Sequence, residues 1–152
     1  MKKLVIVVLA GAALVAGVGC GKSKVTQCNA LIDAANKSQA GFEHVDPDKP
    51  EKMKAALEKV KKGNAEVAAV QLEDPKLKGF RDDYVKTHEA LAASFGKLAD
   101  LSVKLEKAEK SNDAKAAESL GKEAEALEKA MDKDSKDSDK VIEGINGYCH
   151  AL

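Results

Sequence analysis

Apolar residues recur along most of this chain at alternating spacings of three and four, which sets one side chain per turn on a single helical face. The first such seam runs Val25, Cys28, Ile32, Ala35, Gln39, Phe42, with Leu31 beside it, and predicts a helix over 24–42. His44-Val45-Asp46-Pro47-Asp48-Lys49-Pro50 cannot continue it, because two prolines remove amide donors and bias the residues before them to extended backbone. A second seam, Met53, Leu57, Val60, Asn64, Val67, widened by Ala56, Ala68 and Val70, predicts a helix that starts at an Asp48/Glu51 capping box and ends at Asp74-Pro75. Asp74 and Pro75 also open the third helix, as N-cap and first residue. Its seam is Leu77, Phe80, Tyr84, His88, Leu91, Phe95, Leu98, Leu101, Leu105 and Ala108, giving a helix over 75–109.

Lys110-Ser111-Asn112-Asp113 supplies polar capping residues for a tight reversal. Beyond it Ala117, Leu120, Ala124, Leu127, Met131, Asp134, Ser138, Val141, Ile145 and Tyr148 hold one three-four phase, even through the wholly polar stretch 132–140. The retained phase predicts one continuous fourth helix over 113–147, in preference to a break near Ser135. The expected fold is therefore all-α, an up-down-up-down antiparallel four-helix bundle with longer third and fourth helices. At 1.5 Å per residue the longer pair should overhang by about 15 Å, over Ala99 to Glu123, with its tip at Ser111 and Asn112. Such a projection is a candidate meeting point for a partner.

The N-terminus has a different pattern. Met1-Lys2-Lys3 precedes an apolar run from Leu4 to Ala16 and then Gly17-Val18-Gly19-Cys20, the layout of a secretory signal. With cysteine directly after the small residues, the segment resembles a bacterial lipoprotein signal, although Gly17 stands where that family usually carries an aliphatic residue. The resemblance covers about the first twenty residues and implies cleavage before Cys20 and acylation of Cys20. It sets residues 1–19 as the cleaved signal, 20–23 as a short tether and 24–152 as the bundle domain. It implies a membrane partner engaged through lipidated Cys20. With Gly21 in place of the aspartate associated with inner-membrane retention, the expected location is the cell envelope, on the periplasmic face of the outer membrane.

Cys28 and Cys149 remain, an even pair in an exported chain, which reads as a disulfide. The bundle topology brings the start of the first helix and the end of the fourth to one pole, so helix count and cysteine positions agree independently. Without its signal the chain carries 23 basic and 25 acidic side chains, and this near-neutral mixture gives no footprint for nucleic acid. One third of residues are charged and 3% are aromatic, with no Trp, which leaves few large side chains to wall a ligand pocket.

Candidate chemistry is sparse. Glu43, His44, Asp46 and Asp48 gather cation-type ligands in one loop, but a solvated turn with a helix cap is the better explanation of them. Asp132, Asp134, Asp137 and Asp139 lack the glycine and terminal glutamate of a calcium loop. Tyr148-Cys149-His150 lacks the first cysteine of a haem attachment motif, since Asn146 stands there. His88 lies on the third seam, where a bundle ligand or a hydrogen-bonded core histidine would lie. No catalytic residues, cofactor or metal are assigned. The expected function is non-enzymatic: an envelope lipoprotein whose bundle contacts a protein or another envelope component. The alternative is a carrier or sensor of a small hydrophobic molecule or metal, with a cavity around Phe80, Tyr84, His88 and Met131.

Overall fold

The computed structural model describes residues 22–42 and 49–151. Their regular structure is helical throughout: α1 (Lys24–Gln39), α2 (Pro50–Ala68), α3 (Pro75–Lys110) and α4 (Ala114–His150), with no strand among the described residues. The third and fourth helices, 36 and 37 residues long, are about twice the length of the first two.

Local chemistry sets most of the boundaries. Ser23 caps α1 by accepting the Thr26 N–H at 3.1 Å. Asp74 caps α3 by accepting the N–H groups of Lys76 and Leu77, with Pro75 behind it, as the sequence predicts. Asp113 caps α4 by accepting the Ala116 N–H, and the turn before it places Asn112 at φ 53°, a left-handed position that asparagine tolerates. The fourth helix crosses the polar stretch 132–140 without a break.

Other boundaries depart from the sequence pattern. Helix α1 stops at Gln39, three residues short of the expected 42, where the N–H groups of Ala40 and Gly41 turn onto the Asn36 and Ser38 carbonyls. Phe42 lies past the helix end yet packs on Met53, Leu57 and Val60. Its seam is also rotated: Val25 is exposed, whereas Gln27, Leu31 and Ser38 are buried beside Cys28 and Ala35. Lys49, and not the expected Asp48, occupies the N-cap position of α2; Asp48 lies outside the described residues.

Helix α2 ends at Ala68, six residues before the expected Asp74. The reason is competition for backbone groups. Gln27 Oε1 accepts the N–H groups of Glu73 and Asp74, and Arg81 donates to the Val70 carbonyl, so the 69–74 segment satisfies its polar groups without continuing the helix. That segment delivers Leu72 into the core, while Ala68, expected on the buried face, is exposed.

Two apolar clusters result. The larger gathers Cys28, Leu31, Ala35, Val67, Leu72, Leu77, Tyr84 and Ile145 from all four helices and the α2–α3 loop. The smaller gathers Met53, Leu57, Val60, Ala92 and Ala99 from α2 and α3. The register between elements is marked by Ser38 with Asn64, Lys54 with Asp100, Ser94 with Asp134, and Asp74 with Tyr148. Ala99, expected at the start of an overhang, is instead fully buried in the Met53 cluster. Along α4, Ala117, Leu120, Ala124, Leu127 and Met131 are only half-buried.

The α1–α2 crossing is unusually close at Gly63, where a built Cβ would lie 2.6 Å from Ser38 Cα. Backbone cannot yield as a flexible side chain does, so Gly63→Ala should lower the urea unfolding free energy by about 1–3 kcal/mol, net of the helix-propensity gain. Gly79 meets nothing within 4 Å. Gly79→Ala should therefore raise stability by up to about 1 kcal/mol, and equal effects from the two substitutions would contradict the crossing geometry.

Candidate functional site

The first α1 turn, the α3 cap and the last α4 turn meet around one disulfide. Cys28 and Cys149, 121 positions apart, are bonded with their Cα atoms 5.7 Å apart, as the sequence pairing predicted. Beneath the bond lie Leu31, Leu72, Leu77 and Ile145. Gln27, buried next to Cys28, ties two segments of chain together: its Nε2 donates to the Lys22 carbonyl at 2.7 Å, and its Oε1 receives the Glu73 and Asp74 N–H groups. No sequence signal marks Gln27, since a lone glutamine on a helix reads as surface. Cys20, the expected acylation site, lies outside the described residues, two positions before the clamped Lys22.

A polar cluster covers this pole. The Tyr148 hydroxyl donates to Asp74 Oδ2 at 3.0 Å and accepts from Lys24 Nζ at 3.2 Å, while Lys24 also pairs with Asp74 at 3.5 Å. Lys76 Nζ lies 4.8 Å from the Tyr148 ring centre, a cation–π distance. The Leu77 N–H first, then the Tyr148 hydroxyl, the Lys76 N–H and the Lys24 charge, hold the Asp74 carboxyl below the usual carboxylate range against some cost of burial. Asp74 thus serves at once as helix cap and as the negative centre of the cluster.

A second polar group lies between α3 and α4. His88 is buried, its ring stacked on Tyr84 at 3.7 Å between centroids and met edge-on by Phe42 at 5.7 Å. Its Nδ1 lies 3.1 Å from the Tyr84 carbonyl and 3.5 Å from Ser138 Oγ. Further along α3, Ser94 donates to Asp134 of α4 at 3.3 Å. Burial pushes the His88 pKa down to about 4 and raises that of the Tyr84 hydroxyl, which donates to the Ala35 carbonyl. A neutral, ring-packed imidazole of this kind has no path to a substrate. The arrangement is that of a core histidine.

The remaining candidates fare differently. Glu43, His44, Asp46 and Asp48 lie outside the described residues. Asp132, Asp134, Asp137 and Asp139 sit on a continuous helix, whose rod cannot wrap a cation as a loop does, and Asp137 pairs with Lys140. His150 is exposed in the last turn of α4. Phe80, Tyr84, His88 and Met131 do not line a common cavity: Tyr84 and His88 fill each other's space, Phe80 packs on Gly144 and Tyr148, and Met131 is half-exposed further along α4. Among the described residues no cluster of three or more His, Cys, Asp or Glu is placed to hold a metal ion.

A groove of about 380 Å³ runs between α2 and α3, floored by Leu57, Asn64, Ala92 and Gly96 and edged by Lys61 and Glu89. Asn64 Oδ1 accepts from Ser38, whereas its buried Nδ2 has no hydrogen-bond partner among the described residues. No helix among the described residues is long and apolar enough to cross a membrane. The chain matches no protein-family model, no curated protein and no solved structure.

Two measurements test this site. Reducing the 121-position closure, or replacing both cysteines by serine, should cost about 5 kcal/mol of unfolding free energy in the chain-entropy account. An unchanged urea midpoint after reduction would show that the pole is held without the bond. For His88, the folded pKa of about 4 lies below the reference value of 6.5, so the unfolded chain takes up the proton first. The stability it contributes is complete above pH 6.5 and declines as the pH falls toward 4, by roughly 3 kcal/mol at most. The urea midpoint should therefore fall between pH 7 and pH 4, with a shallower fall in His88→Phe; equal slopes in both proteins would assign the effect to other groups.

Proposed function

We propose that this chain is a non-enzymatic, membrane-anchored envelope lipoprotein whose helical bundle acts as a module for contacting a protein or another cell-envelope component. The observation that carries the reading is the Cys28–Cys149 disulfide beside the clamped Lys22. A disulfide suits an oxidising, exported location, and the expected acylation site lies immediately upstream of that clamp. The lipoprotein-like Val18-Gly19-Cys20 and the absence of an inner-membrane Asp after it favour the periplasmic face of the outer membrane.

The bundle is read as up-down-up-down. Pairings of Ser38 with Asn64, Lys54 with Asp100, and both Ser94 with Asp134 and Asp74 with Tyr148 are those of sequential antiparallel neighbours, and Cys28 with Cys149 joins the first helix to the last, as that topology requires. In this arrangement the α3–α4 projection points away from the anchored pole. Its tip offers a shallow surface groove lined by Lys104, Lys107 and Asp113 together with Ala108, Ala116 and Leu120, a contact area of mixed charge and apolar character.

Mass spectrometry of the native N-terminal peptide, together with affinity capture from crosslinked envelopes, tests the reading. The expected result is an acylated Cys20 and one stoichiometric protein partner. A mature chain beginning elsewhere, without acyl groups, would remove the anchor; a co-purifying small molecule in place of a protein would favour the carrier reading.

A further inference from the structure

We infer that the disulfide-bearing pole rests directly on anionic lipid headgroups, held by the exposed lysines Lys22, Lys24, Lys76 and Lys78. This inference rests on the acylated-Cys20 reading above.

The first support is reach. Cys20 precedes Lys22 by two residues, and two extended residues span at most about 7 Å. The Lys22 carbonyl is fixed to Gln27, which in turn holds the backbone at Glu73 and Asp74, so the end of the tether is not a loose linker. An acyl-bearing Cys20 therefore keeps Lys22 within about one Debye length, about 8 Å at physiological ionic strength, of the headgroup layer, and the Gln27 clamp ties the start of α3 to that same pole.

The second support is the sign of the charge that the pole turns outward. All four lysine side chains are exposed. The Asp74 carboxylate, which pairs with Lys24, is only 8% exposed in its side chain. It is already engaged by the N–H groups of Lys76 and Leu77, by the Tyr148 hydroxyl and by Lys24, which leaves Glu73 as the exposed acid of this stretch. An approaching anion thus meets ammonium groups first. Between Lys24 and Lys76 sits Tyr148, an aromatic ring with a polar tip of the kind enriched at membrane–water interfaces.

The arrangement also gives the long helices a purpose. With the pole seated, 36 residues of α3 rise about 54 Å at 1.5 Å each, and the Ser111–Asp113 turn is carried to the far end of that rod.

The test uses the native acylated protein in vesicles of phosphatidylcholine alone and in vesicles that also contain phosphatidylglycerol. Flotation comes first: protein that floats with neither, and carries no acyl group, overturns the anchor and this inference together. On floated protein, a water-soluble amine-acetylating reagent reads each lysine by mass spectrometry. Acetylation of Lys22, Lys24, Lys76 and Lys78 should slow about threefold or more in the anionic vesicles, recover at high salt, and leave Lys107 and Lys115 near the hairpin tip unchanged. Equal rates in the two vesicle types overturn the headgroup contact while leaving the anchor standing. Slowing of Lys107 and Lys115 to the same degree overturns it as well, because the molecule then lies flat.

Discussion

Closure of one pole is the constraint from which the rest of this architecture follows. Helices α1 and α4 are separated by most of the chain, and the Cys28–Cys149 bond makes them neighbours. The bond is seated in the larger apolar cluster, which draws Leu72 from the α2–α3 connection and Leu77 from the first turn of α3, so the same few residues fix where α2 stops and α3 starts. Gln27 completes the junction by trading helical hydrogen bonds in the 69–74 segment for bonds to its own amide. A junction that ties two chain segments with one buried side chain cannot lose that side chain cheaply, because two backbone donors would be left unpaired.

Much of the bundle was legible in the spacing of apolar residues. Met53, Leu57, Val60, Asn64 and Val67 are all buried as their phase requires, as are Leu77, Tyr84, His88 and Ile145. The caps at Asp74 and the continuous fourth helix were equally readable, since capping and phase are local properties. What escaped was set by tertiary partners. Val25 has the right spacing but lies on the first turn, where no neighbouring helix covers it; Leu72 sits at a helical spacing yet on an extended segment held by Gln27. Periodicity tells which face is buried, not which element supplies the cover.

The polar residues on the buried seams explain another feature. His88, Ser94 and Ser138 are buried and Asp134 is half-buried, all between α3 and α4, and Asn64 and Ser38 pair between α1 and α2. Such contacts add little net stability, but a shift by one helical turn would separate Ser94 from Asp134 and Ser38 from Asn64, leaving buried groups unpaired. Apolar seams built largely from Leu and Ala slide with modest cost, so these pairs supply register that the apolar pattern alone does not.

Beyond the reach of α2, each of the two long helices can bury only one face against the other. The α4 side chains there are small or single leucines, which keeps the half-buried seam narrow, and the flanks carry ion pairs such as Glu106 with Lys110 and Glu118 with Lys122. Exposed pairs of this kind contribute a few tenths of a kcal/mol each to helix stability. They also limit the apolar area that any partner could cover. On the reading proposed above, recognition along this arm would draw on charge pattern and on the turn at its end more than on a greasy face.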